Sequence, residues 1–193
     1  MFFNLFRKKV DLLKLNFYFI ITVLKPDFLK TMCRKYKFAS LAYDQALQSQ
    51  MNSKHGAIIT KGSKFIVSSM NNGNRTSALG QIHRSVHAEI AVATKLINQF
   101  IRKKTRNRNE YKNYLKKYTI WVVRAPNYKQ EQLKGHYCNS LPCRMCINKL
   151  MSLGFSKIGY SDINGEMIVT TLDKINEVKI CPSQAMLGQY YKY

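Results

Sequence analysis

Hydrophobic residues recur along the chain with two periods, which divide it into alternating helices and strands. Between residues 36 and 50 they are spaced as on one side of a helix, and residues 86–100 are apolar almost all round, as in a buried helix. A third helix is predicted at 143–153, where Gly154 follows as a left-handed C-terminal cap. Short apolar runs between turn residues predict strands at 57–60, 65–69, 119–123, 157–160 and 167–170.

Two of these segments predict how the strands are arranged. The β-branched run 119–123 is typical of a central strand covered on both faces. Asn164 and Gly165 form a strong hairpin signal, so the strands on either side of them are expected to run antiparallel. Helices interleaved with strands then predict an α/β fold of three layers (α/β/α), in which helices cover both faces of a mixed central sheet.

The same pattern divides the chain into one domain and two flanking segments. Residues 35–185 are predicted to form the domain, with a charge-dense, Asn-rich insertion at about 102–117, and residues 186–193 form a tail. Residues 1–34 are an N-terminal extension whose basic start and short apolar stretch resemble a secretory signal without a cleavage site. A membrane-surface anchor is a second interpretation, and a translation start at Met32 is a third, which we favour.

Composition and charge narrow the class of protein without deciding its function. The 193 residues include 32 Lys and Arg against 10 Asp and Glu, which gives a formal net charge of +22. This excess attracts phosphate in nucleotides, nucleic acids or membrane surfaces, although AT-rich coding DNA produces the same bias without selection for binding. No apolar run approaches the roughly 18 residues that span a bilayer, so no transmembrane span is expected and a cytoplasmic location is predicted.

Two short motifs carry the candidate chemistry. His87-Ala88-Glu89 opens the second predicted helix, and Pro142-Cys143-Arg144-Met145-Cys146 opens the third. An imidazole and two thiolates are a three-ligand set for zinc that leaves a fourth position for water, as in a catalytic site. Helix starts favour thiolates, because their N–H groups and positive dipole end point toward the sulfur. A carboxylate at Glu89 can carry protons between the water and a substrate.

Together the two motifs resemble the signature of the zinc-dependent cytidine deaminase superfamily, H-x-E followed by P-C-x-x-C. The resemblance covers roughly residues 38–172 and implies a cytidine deaminase-like fold with a CMP/dCMP-type deaminase domain. It implies that Glu89 is the catalytic proton shuttle. It also implies a Zn²⁺ cofactor, with three ligands: His87, Cys143 and Cys146.

By the same resemblance the reaction is a hydrolytic deamination, in which hydroxide adds to the carbon that carries the exocyclic amine of a cytosine-type base and ammonia leaves. Ala57 is implied to lie against the base, and Asn71 to hold the ribose or the base. Gly73 stands where free-cytidine deaminases carry a glutamate, whereas antiparallel final strands resemble the nucleoside-deaminase branch. The expected substrate is a nucleoside or a nucleotide, and relatives often form homo-oligomers.

Two other functions stay open on the sequence alone. A deaminase that edits RNA or single-stranded DNA would bind it through the basic insertion, with three tyrosines as stacking partners: Tyr111, Tyr114 and Tyr118. A nucleic-acid-binding module without turnover would hold zinc in a closed site of four ligands: His136, Cys138, Cys143 and Cys146.

Several residues also have a plain structural interpretation. The insertion at 102–117 is typical of a solvated surface, and Asn71 is typical of a turn residue with a left-handed backbone. Four further residues lack a supporting group of neighbours in the sequence: Cys33, His55, His83 and Cys181.

Overall fold

The computed structural model describes residues 26–101, 108–127 and 137–175. The contacts within the chain divide it into two units, Met1–Lys35 and Tyr36–Tyr193. The predicted tail 186–193, His136 and Cys181 lie outside the described residues, as do residues 1–25 of the predicted extension. The domain bounds 35–185 stay a prediction.

Helices and strands alternate along the described residues, as the hydrophobic pattern predicts. The α-helices are α1 (Pro26–Leu47), α2 (Ala88–Leu96), α3 (Arg108–Leu115) and α4 (Arg144–Leu153). A π-helix, Ile97–Ile101, continues α2, and a 3₁₀ turn, Leu172–Lys174, follows the last strand. The strands are β1 (His55–Lys61), β2 (Lys64–Met70), β3 (Thr76–Ala78), β4 (Gln81–His83), β5 (Tyr118–Arg124), β6 (Lys157–Ser161) and β7 (Met167–Thr171).

Five strands form one mixed sheet in the order β2-β1-β5-β6-β7. β1 runs antiparallel to both β2 and β5, whereas β5 and β6 are parallel. β5 lies in the middle and is buried along most of its length, which confirms the prediction of a central strand covered on both faces. The parallel pair requires a crossover connection, and α4 lies in that connection.

Side chains that alternate along β1 and β5 point into two separate cores. One core joins α2 and α4 to one face of the sheet through residues such as Ile59 and Ile120. The other joins the α1 residues Phe38 and Ala42 to the opposite face, where Trp121 packs against Phe38 with ring centroids 5.1 Å apart. Burying each of these large side chains stabilises the fold by about 1.5–3 kcal/mol. The predicted three-layer α/β/α architecture is confirmed.

The last hairpin is also confirmed. β6 and β7 run antiparallel, and Gly165 in their turn has a φ of 83°, the left-handed region that favours glycine. The carboxylate of Asp162 accepts the backbone N–H groups of Asn164 and Glu166, each at 2.8 Å, and so fixes the turn.

Among the described side chains of the predicted insertion, all but Leu115 are exposed or half-buried, as expected of a solvated surface, and residues 102–107 lie outside the described residues. Helix α3 lies within the insertion, and Leu115 at the end of that helix is fully buried. Tyr118 is the first residue of β5 and is only 3% exposed, so its predicted role as a stacking partner for nucleic acid is wrong. Tyr114 packs against it with ring centroids 5.4 Å apart, and Lys61 Nζ lies 5.2 Å from the centroid of Tyr114.

A second, two-stranded sheet was absent from the prediction. β3 and β4 form an antiparallel hairpin whose turn residues, Leu79 and Gly80, have φ angles of 52° and 79°. Positive φ angles at both positions are typical of a tight two-residue hairpin turn. Leu79 is the only described non-glycine residue with positive φ, so Asn71 does not have the left-handed backbone of the turn interpretation.

No helix among the described residues has the length and apolar character that crossing a bilayer requires.

Candidate metal centre and active site

Two helix starts that are far apart in the sequence meet at the candidate site. His87 is the N-cap of α2, and Cys143 is the N-cap of α4, 56 positions further along the chain. Both have extended backbone, and neither side chain makes the usual capping hydrogen bond to its own helix. Cys146 lies one turn into α4, on the same side as Cys143, so all three side chains face one point.

The side chains of His87, Cys143 and Cys146 are in direct contact. Nδ1 of His87 lies 3.6 Å from Cys143 Sγ and 3.4 Å from Cys146 Sγ. The three donor atoms lie within 4.8 Å of one another, and they are the one such group of metal-ligating side chains among the described residues. The spatial convergence on which the sequence prediction depends is therefore present.

This donor set fits zinc. Bonds of about 2.3 Å from zinc to sulfur and about 2.0–2.1 Å from zinc to nitrogen, at tetrahedral angles, separate a nitrogen and a sulfur ligand by about 3.6 Å. The two observed nitrogen–sulfur distances, 3.6 and 3.4 Å, match that separation. Thiolate and imidazole ligands are typical of zinc rather than of calcium or magnesium, and three protein ligands leave a fourth position open.

The pKa values of the two neighbouring cysteines are shifted in opposite directions. Hydrogen bonds from Cys146 and His87 to the sulfur of Cys143 lower the pKa of Cys143 to about 4, although its burial acts in the opposite direction. The pKa of Cys146 is raised, because Cys146 keeps its proton in a hydrogen bond to Cys143, is buried and lies beside the negative charge of Glu89. The electrostatics thus favour one thiolate and one thiol in the metal-free site.

Glu89 lies beside this group. Its side chain is 5% exposed, and Oε1 is 3.9 Å from Nδ1 of His87. Side chains two positions apart diverge on a regular helix, but here they converge because His87 has the extended backbone of an N-cap (φ −69°, ψ 150°). Burying a carboxylate is costly unless it has charged or hydrogen-bonding partners, so its place next to the metal ligands is informative.

Two buried serines hold the loop that leads to Cys143. The hydroxyl of Ser140 donates to the backbone carbonyl of Val122 at 2.8 Å and accepts the backbone N–H of Ser161 at 2.8 Å. The hydroxyl of Ser161 donates to the carbonyl of Cys138 at 2.5 Å. These bonds fix the loop to β5 and β6, immediately before the helix that carries the cysteines. The sequence analysis missed both serines, because each is a single polar residue without a motif.

Both the oxygen and the nitrogen of the Asn71 side-chain amide form hydrogen bonds within the protein. Its Oδ1 accepts the backbone N–H of His55 at 2.9 Å, and its Nδ2 donates to the carbonyl of Ser53 at 2.7 Å and to Sδ of Met51 at 3.1 Å. The hydroxyl of Ser49 donates to the carbonyl of Asn71 at 3.1 Å. Asn71 therefore ties the end of β2 to the loop before β1, and its predicted contact with substrate stays a prediction.

Ala57 and His55 lie on β1, next to this network. Ala57 is fully buried in the core cluster that also contains Ala88, and its predicted contact with the base stays a prediction. The pKa of His55 is lowered, mainly because the ring is buried, while the nearby carboxylate of Glu89 acts in the opposite direction. The structure thus brings His55 within electrostatic range of the site, although the sequence offered no neighbours for it.

The alternative zinc site with four ligands is not supported among the described residues. Cys138 is described and buried, but its sulfur is not part of the group formed by Cys143 and Cys146. The third member of that group is His87. The fourth member of the alternative, His136, lies outside the described residues.

The mixed sheet covered by helices and the group formed by His87, Cys143 and Cys146 are as the two motifs led us to expect. No family model matches the chain, and no curated protein matches it. Among solved structures, the chain is similar to a cytidine deaminase from Burkholderia pseudomallei, with 17% identity and a TM-score of 0.45 over 75% of this chain and 98% of that chain. It is also similar to a dCMP deaminase from the cyanophage S-TIM5, with 15% identity and a TM-score of 0.40 over 72% of this chain and 86% of that chain.

Proposed function

We propose that this protein is a zinc-dependent hydrolytic deaminase that converts a cytosine-type base to uracil in a nucleoside or nucleotide and releases ammonia. The observation that carries the proposal is the position of the buried Glu89 carboxylate, 3.9 Å from the same imidazole nitrogen that faces both cysteine sulfurs. A hydrolytic site needs a proton carrier next to its three metal ligands, and a buried carboxylate in this position can serve as one.

His87, Cys143 and Cys146 would hold Zn²⁺, which when bound lowers the pKa of a coordinated water to about 7. Glu89 accepts the proton of the attacking water and delivers it to the ring nitrogen next to the reacting carbon. It then takes the second proton from the hydroxyl added to that carbon and gives it to the exocyclic amine. The carbon–nitrogen bond breaks as the carbonyl forms, and ammonia leaves. The net change consumes one water and replaces the amine with a carbonyl oxygen, so atoms and charge balance.

The packing around Glu89 supports this role. Glu89 is in the first turn of α2, where backbone N–H groups and the positive helix end stabilise a negative charge. Its side chain is nearly inaccessible to solvent, so a proton that it holds is passed to a bound substrate rather than lost to bulk water. Assembly into homo-oligomers, which the resemblance of the motifs implies, and a cytoplasmic location belong to the same proposal.

The proposal is tested by ammonia release from a panel of cytidine, deoxycytidine, their monophosphates and adenosine. We expect Glu89→Gln to lower the rate by at least about 10²-fold while zinc remains bound at full stoichiometry, because the amide preserves the shape and removes the proton carrier. The matched control is Glu110→Gln, which neutralises an exposed carboxylate on α3 and is expected to leave the rate unchanged. Unaltered turnover in Glu89→Gln, or no ammonia from any compound, would contradict the proposal.

A further inference from the structure

The turn of the β3–β4 hairpin places a leucine where the backbone favours other residues. Leu79 and Gly80 occupy its two central positions, with φ angles of 52° and 79°. Glycine and asparagine are the usual residues at such positions, because a Cβ makes the left-handed backbone costly and leucine has no polar group that could offset the strain by a local hydrogen bond. A strained backbone of this kind persists only where the surrounding structure holds it in place.

The side chain of Leu79 packs toward the two helices that carry the candidate metal ligands. It is half-buried against the core cluster that includes Ile90 of α2 and Cys146 of α4. These three residues and Met145 also line one cavity of about 360 Å³. The apolar surface that these two helices offer therefore accounts for a leucine at a position that the turn alone would give to another residue.

Solvent reaches this cavity but hardly reaches the cysteine in its wall. Polar residues that line the cavity, such as Gln81 and Asn148, are exposed, whereas Cys146 is only 3% exposed. His87 and Cys143 do not line the cavity, so it approaches Cys146 from a different side than the other two ligand candidates do. The apolar residues around the cavity, the turn leucine among them, therefore separate this cysteine from solvent on that side.

We infer that Leu79 is a positioning residue of the candidate metal centre, whose side chain covers Cys146 from the cavity and so slows the loss of bound zinc. An apolar shell around a metal site limits the access of water and of competing ligands to the metal-binding atoms. The inference rests on the zinc site of the proposed function and goes beyond it, because it assigns the retention of the metal to the β3–β4 hairpin. The strain at the turn is accepted for the sake of this cover.

The first test measures how fast the full-length, zinc-loaded protein releases zinc to an excess of a colorimetric chelator. We expect Leu79→Asn and Leu79→Gly to release zinc about tenfold faster than the parent, because both residues suit a positive φ but leave Cys146 uncovered. Leu79→Met keeps a long apolar side chain and is expected to stay within about twofold of the parent. The matched control is Ile82→Asn, which changes a 68% exposed residue on the other face of the hairpin and is also expected to stay within about twofold.

The direction of the change separates a cover over Cys146 from a residue that serves the turn alone. If Leu79 served only the turn, asparagine and glycine would strengthen the hairpin, and zinc would leave no faster than from the parent. Unchanged or slower release from both variants would therefore overturn the inference. Equally fast release from Ile82→Asn would assign the effect to the stability of the hairpin and would overturn it as well.

A second test needs neither metal nor turnover, so it separates this inference from the proposed function. Iodoacetamide alkylates the cysteines of the metal-free, full-length protein, and peptide mass spectrometry measures the rate at each of them. We expect the rate at Cys146, relative to that at Cys138 outside the group, to rise at least about fivefold in Leu79→Asn. An equal relative rate in parent and variant would overturn the cover even if ammonia is released from a pyrimidine compound. Both expected changes in a protein that deaminates none of the compounds would sink the proposed function and leave the cover standing.

Discussion

Cys143 and Cys146 form a pair in which the acidity of one thiol depends on the other. The sulfur of Cys143 is stabilised as a thiolate by hydrogen bonds, whereas Cys146 is buried and keeps the proton. Zinc binds thiolates, so a metal ion that takes this site must displace the remaining proton. The protonation of the pair therefore controls how strongly the site binds metal.

We predict that zinc binding near neutral pH releases about one proton from the cysteine pair and that its affinity rises with pH. The direction of this pH dependence follows from the two pKa values. The pKa of Cys143 is lowered to about 4, so Cys143 is already ionised near neutral pH, whereas the pKa of Cys146 is raised, so Cys146 still carries its proton. Calorimetric titration in buffers of different ionisation enthalpy measures the number of protons. The control Cys138→Ser, outside the group, is expected to release the same number. A count of zero would refute the prediction that Cys146 keeps its proton.

The candidate metal ligands could be identified from short local motifs, but their surroundings could not. His87, Cys143 and Cys146 each belong to a short local motif, so residue type and spacing were sufficient to predict them. His55 and Ser140 have no such motif, because their roles depend on which distant segments fold beside them. The partners of Asn71 are likewise decided by the loop before β1, which its local sequence does not specify.

At the scale of helices and strands, the position of α1 against β1 depends on the absence of one side chain. A Cβ at Gly56 would collide with the backbone of Ala42 and of Ala46, so only glycine allows α1 to lie this close to the strand. Gly56 lies between His55 and Ala57 on β1. The close packing of α1 therefore also helps to fix the position of these two residues next to the site.

We expect Gly56→Ala to destabilise the fold by about 1–3 kcal/mol, because rigid backbone atoms must move to admit the methyl group. Urea unfolding measures the change. The matched control is Gly73→Ala, where a Cβ would meet only the flexible side chain of Met51, at 3.6 Å, and which we expect to stay within about 0.5 kcal/mol of the parent. Equal stability of the two variants would show that the close packing is unimportant.

Helices and strands with a strong local sequence signal were predicted correctly, whereas those with a weak signal were missed. The β-branched run in β5 and the Asn164-Gly165 turn each specify one structure, so both were predicted correctly. The β3–β4 hairpin was missed because its turn places Leu79 at positive φ, which leucine rarely adopts. Helix α3 was missed because it is short and polar, and the burial of Leu115 depends on the core beneath it.

For the molecule as a whole, zinc would connect parts of the fold that come from different regions of the sequence. The candidate ligands join the start of α2 to the start of α4, and both helices pack on the same face of the sheet. A metal ion that binds only the folded state adds its binding free energy to the free energy of unfolding. Metal content and stability are therefore coupled.

We predict that a chelator lowers the melting temperature of the native protein and of Cys138→Ser, whereas the melting temperature of His87→Ala is lower from the start and responds much less. Thermal unfolding with and without chelator, together with zinc analysis, provides the measurement. The two variants distinguish the candidate site from the alternative of four ligands. Full zinc in His87→Ala together with its loss in Cys138→Ser would establish that alternative.

The three-layer architecture could be predicted because it follows from the order of helices and strands, which the hydrophobic pattern reports directly. The predicted charged surface at 102–117 was accurate for the described side chains except Leu115, which is buried. Average composition describes a segment as polar even when one or two of its side chains belong to the core.

The separation of 56 positions from His87 to Cys143 has a consequence for the newly made protein. While the chain is still being synthesised, the imidazole and the carboxylate leave the ribosome long before either sulfur does. Until the start of α4 has emerged and folded back against α2, the nascent polypeptide has no complete set of donors. A metal ion that needs all three donors would therefore bind late in the biogenesis of the protein, and fragments that end before this helix would lack the complete set.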